Sequence, residues 1–191
     1  MKIVIAMDSF KGSLTSLEAG NAAKEAVLAQ RPDAQVIVKP LADGGEGTME
    51  ALASGLDGEI LAVRVQDPLG REIEAKYAIA YGGKRKETAE NAGGNRKKTA
   101  IIEMAQAAGL TLLSETERNP KITSTFGVGQ MICDALDRGC REFILGIGGS
   151  ATNDGGIGML RALGARFYDA TGDCVRNLTD GVQKIDISGI R

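Results

Sequence analysis

The chain reads as an α/β protein with a Rossmann-like, mostly parallel sheet and a β-hairpin excursion. Three observations carry that reading. Apolar runs at Lys2 to Ala6 and Gln35 to Lys39 flank a helical stripe, the β-α-β order that feeds a parallel sheet. Between Glu59 and Ala80 the pattern changes to strand alternation around a turn, which predicts the hairpin. A further apolar segment, Glu142 to Ile147, runs into Gly-Ile-Gly-Gly-Ser-Ala-Thr-Asn-Asp-Gly-Gly-Ile-Gly (Gly146 to Gly158) and then into Met159-Leu160-Arg161-Ala162-Leu163. A glycine-rich loop between strand and helix lets backbone N–H groups approach a ligand closely, and the helix end adds partial positive charge.

In chain order, Lys2 to Ala6 is predicted as a fully buried strand. Thr15 and Glu18 have capping-box spacing, and Ala19, Ala22, Ala23, Ala26 and Val27 then form one helical stripe. Gln35 to Lys39 is the second strand, and the loop Leu41 to Gly47 leads to a short helix near Thr48 to Ser54. Glu59 to Val65 and Arg71 to Ala80 alternate around Asp67-Pro68-Leu69-Gly70, whose residues are turn formers. Tyr81 to Lys98 is polar, glycine-rich and aperiodic, and reads as a mobile, solvated loop with a basic cluster. A strand at Ala100 to Met104 and a short helical turn to Gly109 come next. Val128, Met131, Ile132, Ala135 and Leu136 make a clean helical stripe that stops at Gly139. Beyond the glycine-rich loop and its helix, Ala165 to Tyr168 reads as a strand and Asp169 to Gly172 as a turn; the tail has no legible pattern.

With 191 residues, 43% of them hydrophobic, the chain can bury one sizeable core or two small ones. Its 23 basic and 25 acidic residues nearly balance, so nothing points to nucleic acid. No apolar run approaches the roughly 20 residues of a membrane span, and the opening Met-Lys-Ile-Val-Ile-Ala is too short for a signal-peptide core. Cys133, Cys140 and Cys174 are odd in number and lack C-x-x-C spacing, as expected of reduced thiols in a cytoplasmic protein. There is no histidine. A Ser-His-Asp triad, a Cys-His pair and a His-ligated metal are therefore excluded within the chain. Proton transfer falls to Asp, Glu, Lys, Tyr or water, and any metal is an oxygen-seeking ion such as Mg²⁺.

Three polar loops each follow a strand: Asp8-Ser9-Phe10-Lys11-Gly12-Ser13, Ala42 to Thr48, and Gly148 to Gly156. In open parallel sheets ligands bind beyond the carboxyl ends of strands, so the three loops are expected to converge on one cleft. Asp8 suits Mg²⁺ or a proton, and equally the capping of the next turn. Lys11 is placed to meet phosphate as a point charge. Asp43 and Glu46, among Gly44, Gly45 and Gly47, suit metal coordination, a carboxylate base or helix capping. Ser150, Thr152, Asn153 and Asp154 bring hydroxyl, amide and carboxylate groups to an anion or polyol site, and Asx turns are their other use. The phosphate-loop pattern G-x-x-x-x-G-K-[ST] is absent. Gly146-x-Gly148-x-x-Ala151, with Asp169 after the next strand, fits a relaxed dinucleotide fingerprint, but Thr152 to Gly156 prolongs the loop and leaves a helix of only about two turns.

Ile5 to Ser13, Leu41 to Thr48 and Gly146 to Gly156 together resemble the bacterial type-1 glycerate kinase family. Asp67-Pro68-Leu69-Gly70, Ile102-Glu103-Met104-Ala105 and Asn119-Pro120 followed by Thr123-Ser124-Thr125 match it in the same order, and the resemblance reaches residue 172. It implies ATP- and Mg²⁺-dependent phosphorylation of D-glycerate, generally at the 2-hydroxyl, giving 2-phosphoglycerate in a cleft between two α/β domains. On that implication residues 1–57 and 121–164 form the Rossmann-like part, and 58–120 and 165–191 belong to a second, smaller and incomplete domain. Asp8 or Asp43 would accept the hydroxyl proton while the other, with Glu46, holds Mg²⁺. Lys11 and the amides of Gly148, Gly149 and Ser150 would stabilise the transferring phosphate. Ser150, Asn153 and Asp154 would orient substrate, with Ser9, Gly44 and Gly45 as further binding positions. Phosphoryl transfer rests on positioning and charge neutralisation, so such a set suffices without histidine.

Two departures from the family pattern stand out. The polar stretch Lys84 to Lys98 is longer than the usual link, as a tolerated surface insertion would be. Family members also continue well beyond Arg191 with further glycine-rich and acidic motifs. The chain is therefore expected to be an N-terminal portion with part of the cleft, self-associating or complemented by a C-terminal half. A non-catalytic anion- or nucleotide-binding module and a dinucleotide-binding domain are the competing readings.

Overall fold

A computed structural model describes residues 1–10, 13–82, 97–176 and 181–190. The chain runs β1 (Lys2–Met7), α1 (Ser16–Gln30), β2 (Gln35–Pro40), α2 (Thr48–Gly55), β3 (Glu59–Gln66), β4 (Glu72–Tyr81), β5 (Lys98–Glu103) and α3 (Ala105–Ala108). It continues through two 3-10 turns to α4 (Phe126–Asp137), β6 (Glu142–Gly146), α5 (Ile157–Ala162), β7 (Arg166–Tyr168) and β8 (Lys184–Asp186). The expected elements are present, and the tail adds β8, paired antiparallel with β7.

The α/β class holds, with both parallel and antiparallel pairing present. β1 and β2 form a parallel pair. The hairpin β3-β4 pairs on through β5 to β6 in a four-stranded sheet, antiparallel except for β5-β6. The hairpin is thus an integral half of the larger sheet rather than an excursion from it. The boundary expected between 58–120 and 121–164 is crossed by this pairing: Ile101 of β5 lies opposite Ile144 of β6.

Pleating explains how that sheet buries both faces. Ala75, Tyr77 and Ile79 of β4, with Ala100 and Ile102 of β5, meet Val128, Met131, Ile132 and Ala135 of α4. The alternate residues Ala78, Ala80 and Ile101 meet Met49 and Ala53 of α2. The stripe read for α4 is the one that packs. Tyr77 keeps its hydroxyl satisfied inside this core by donating to Asp134 at 2.6 Å, and burial pushes its pKa upward.

The first sheet is different. The capping box at Thr15 and Glu18 starts α1 as expected, yet only Ser16, Ala19 and Gly20 of that helix are buried. Ala22 and Ala26, expected on the packed stripe, are exposed. β1, expected to be fully buried, has no buried residue, and Val4 is 57% exposed. The reason is that α1 covers one face of the β1-β2 pair while no core cluster of the described residues includes either strand. An apolar parallel strand is usually covered on both faces.

These differences set the cost of side-chain truncation. Met131→Ala, at a fully buried core position, is expected to destabilise the fold by about 2–5 kcal/mol. Val4→Ala should stay within about 0.5 kcal/mol of the parent in urea denaturation. A large loss at Val4 would mean that the β1 face is covered in solution.

Candidate active site

The loops after β2 and β6 are joined backbone to backbone. The Gly148 N–H donates to the Gly44 carbonyl at 3.0 Å. A Cβ on Gly148 would stand 2.6 Å from the Gly45 Cα, and one on Gly146 would stand 2.7 Å from the Gly44 oxygen. Glycine at these two positions is thus required by close approach. The other side of the loop is strapped to the segment after α3: Leu110 N–H donates to Gly149 O at 2.9 Å and Ala151 N–H to Ala108 O at 2.8 Å. Thr123 adds a buried hydroxyl bond of 2.8 Å to the Ala151 carbonyl.

Asp154 turns inward. Its carboxylate accepts from the Thr125 N–H at 2.8 Å, from the Thr125 hydroxyl, and from the Gly156 and Gly158 N–H groups at 3.0 and 3.1 Å. It is buried, so both oxygens are occupied in closing the loop onto α4 and α5. Asp154, expected from the resemblance to orient substrate, is thus buried with both oxygens engaged by protein donors.

The remaining expected residues lie outward. Asp43 is exposed and accepts from the Gly45 N–H at 3.2 Å, an Asx turn. Asp8 is exposed and accepts from the Ser9 N–H at 2.7 Å. Ser150 is half-buried, with its hydroxyl 2.9 Å from that of Thr152, and Asn153 is exposed. Gly149 adopts a positive φ of 73°. Lys11 lies outside the described residues.

Glu46 links the loops after β1 and β2. It lines a cavity of about 160 Å³ with Ser9, Phe10, Ser13 and Thr15. It also lines a neighbouring cavity of about 220 Å³ with Glu50, Glu103 and Gln106. Among the described residues neither wall contains Lys or Arg. Among the described residues no three metal-ligating side chains come together. The donor set is all oxygen, which suits a Mg²⁺ that takes one or two carboxylates and completes its shell with water and phosphate oxygens.

Glu103 was not assigned a role from the sequence. It ends the apolar strand β5, is only 2% exposed, and its carboxylate accepts from the Met49 N–H in the first turn of α2 at 2.6 Å. That bond pins the helix that follows the Asp43–Gly47 loop. Burial raises the Glu103 pKa, the Met49 hydrogen bond opposes the shift, and the nearby Glu50 and Glu46 charges raise it further. The legible signal was a lone carboxylate closing a run of buried residues.

The chain matches the family model described as the glycerate kinase family across residues 3–191. It belongs to the glycerate kinase family. Glycerate kinase of Halalkalibacterium halodurans is 47% identical over 90% of this chain and 41% of its own length. Glycerate 2-kinase of Escherichia coli K12 is 42% identical over 100% of this chain and 47% of its own. A crystal structure from Salmonella typhimurium LT2, provisionally named glycerate kinase 2, superposes with a TM-score of 0.80 at 43% identity, covering 100% of this chain and 48% of that one. The chain therefore spans less than half the length of these glycerate kinase relatives. The dinucleotide reading loses its structural basis as well, because α5 begins only at Ile157 and is six residues long.

Two outcomes test the geometry. Gly148→Ala is expected to force the two loops apart, lowering stability by about 1–3 kcal/mol and shifting amide NMR signals at Gly44 and Gly45; unchanged signals there would refute the joint. For Glu103 the sign follows from its raised pKa: the folded chain holds that proton more tightly than the unfolded chain. Stability therefore falls as pH rises from the ordinary carboxylate value, about 4.3, through the folded value. Glu103→Gln keeps an acceptor for Met49, so its stability relative to the parent should rise as pH climbs above the ordinary carboxylate value, about 4.3, and fall back on acidification. A pH-independent gap in urea midpoints would contradict it.

Proposed function

We propose that this chain contributes to ATP-dependent phosphorylation of the 2-hydroxyl of D-glycerate, giving 2-phosphoglycerate and ADP. The observation that carries the reading is the Gly44–Gly148 joint, which sets a glycine-rich loop against the acidic loop of Asp43 and Glu46 in a glycerate kinase family member. Support for the position of transfer comes from the Escherichia coli relative, named a glycerate 2-kinase.

Asp43 or Asp8, both solvent-facing, accepts the proton of the glycerate hydroxyl. The freed oxygen forms a bond to the γ-phosphorus while the bond to ADP breaks. The amides of Gly148, Gly149 and Ser150, with Lys11, meet the phosphoryl oxygens, and Ser150 and Asn153 orient glycerate, assisted by Ser9, Gly44 and Gly45. Asp154 acts through Thr125 and Gly158 as a positioning residue. Glu46, with Asp8 or Asp43, fits a nucleotide-borne Mg²⁺, which would neutralise phosphate charge in a cleft whose described walls are acidic. Proximity and preorganised donors then supply the rate.

The open β1-β2 face bears on activity. Val4 at 57% and Ile147 at 74% exposure, with Ile144 and Leu145 on β6, leave apolar surface of the kind other polypeptide covers. The glycerate kinase relatives carry more than half of their length outside the match. We infer that full turnover needs that further part of the fold, joined to this chain or supplied beside it. The same openness favours a second reading, in which the chain by itself binds anion or nucleotide without turnover.

A coupled ADP-release assay with and without D-glycerate separates the two. Turnover that depends on glycerate, and rises when the remaining part of a full-length relative is added, is expected. Asp43→Asn should lower it by about 10²–10⁴-fold with unchanged circular dichroism. Near-parental turnover would remove Asp43 from the chemistry and leave Asp8 as the base.

A further inference from the structure

Asp67-Pro68-Leu69-Gly70 and Thr123-Ser124-Thr125 lie far apart in sequence, and the fold joins them: the Ser124 N–H donates to the Pro68 carbonyl at 2.9 Å. Beside this joint is a cavity of about 310 Å³ whose wall includes Asp67, Ser124, Phe126, Arg161 and Arg176. None of these residues lines the cavities beside Glu46.

Two arginines, Arg161 and Arg176, stand in the wall, and among the described residues Asp67 is its one carboxylate. One Asp67 oxygen accepts from the Leu69 and Arg71 N–H groups at 2.8 and 2.9 Å, and the other accepts from the Arg71 guanidinium. Asp67 is buried and matched by Arg71, which stands outside the wall. Arg161 forms no ion pair among the described residues. Its guanidinium lies 5.6 Å from the centre of the Phe126 ring, which restricts its orientation without neutralising it. The Ser124 oxygen already accepts from the Phe126 N–H at 3.2 Å, leaving the hydroxyl proton to be donated. Two guanidinium groups and a hydroxyl donor around one hollow match the oxygens of a carboxylate or phosphate group.

We propose that this cavity is a second binding site, taking the carboxylate or phosphate group of a small organic anion through Arg161 and Arg176, with Ser124 as hydrogen-bond donor. The site is distinct from the acidic cleft, and its occupancy does not depend on whether the chain turns over.

Isothermal titration of the whole chain at fixed ionic strength tests it, with inorganic phosphate in one arm and D-glycerate in the other. Saturable binding in either arm is expected, and the tighter arm identifies the preferred group. Arg161→Gln should weaken that binding by about tenfold or more. Arg176→Gln, at an exposed position, should weaken it without disturbing the fold, so a folding defect at Arg161 would not blunt the test. Arg64→Gln, at an exposed pair with Glu72, is the control and should bind as the parent does. Absence of saturable binding in both arms, or parental affinity in both Arg161→Gln and Arg176→Gln, would overturn the proposal.

Discussion

The contact between the Gly44–Gly45 backbone and the Gly146–Gly148 backbone is the constraint on which the candidate site depends. A side chain at Gly146 or Gly148 would sit inside the van der Waals shell of the facing loop. Because the main chains touch directly, the polar groups that follow each glycine pair are held at fixed spacing. Everything else around the loop maintains that contact. Leu110 and Ala151 strap it to the segment after α3, and Asp154 ties its far end to α4 and α5. Glu103 fixes the helix on the opposing side.

The loops of the candidate site consequently come from two sheets that share no hydrogen-bonded strand among the described residues. One sheet is packed on both faces and gives a stiff platform through α2 and α4. The other, β1-β2, is covered mainly by α1, with a smaller contact from α2 to β2. Asp8, which directly follows β1, therefore stands on the less covered layer, the one that carries the exposed Val4.

The charge distribution carries the second theme. Glu46, Glu50 and Glu103 make the cleft walls acidic, whereas the cavity beside Pro68 and Ser124 is walled by two arginines. Asp67 and Asp154 show how a carboxylate can belong to a motif yet remain structural. Each is buried with its oxygens engaged by backbone N–H and neighbouring side chains. Asp43, which likewise precedes glycines in its loop, faces outward instead.

Local pattern was enough to determine much of the glycerate kinase fold. The capping box of α1, the α4 stripe, the hairpin and the strand-loop-helix around Gly146 to Gly158 all arise from contacts within about one or two turns or strands, where propensity and periodicity act. Recognition of the family rested on motifs of the same local kind. Tertiary structure alone decided which loops touch, that β6 completes the hairpin's sheet, that β1 is left open, and that Asp154 faces inward while Glu103 anchors α2. Those outcomes depend on burial and on partners distant in sequence, and a residue's own neighbours along the chain do not encode them.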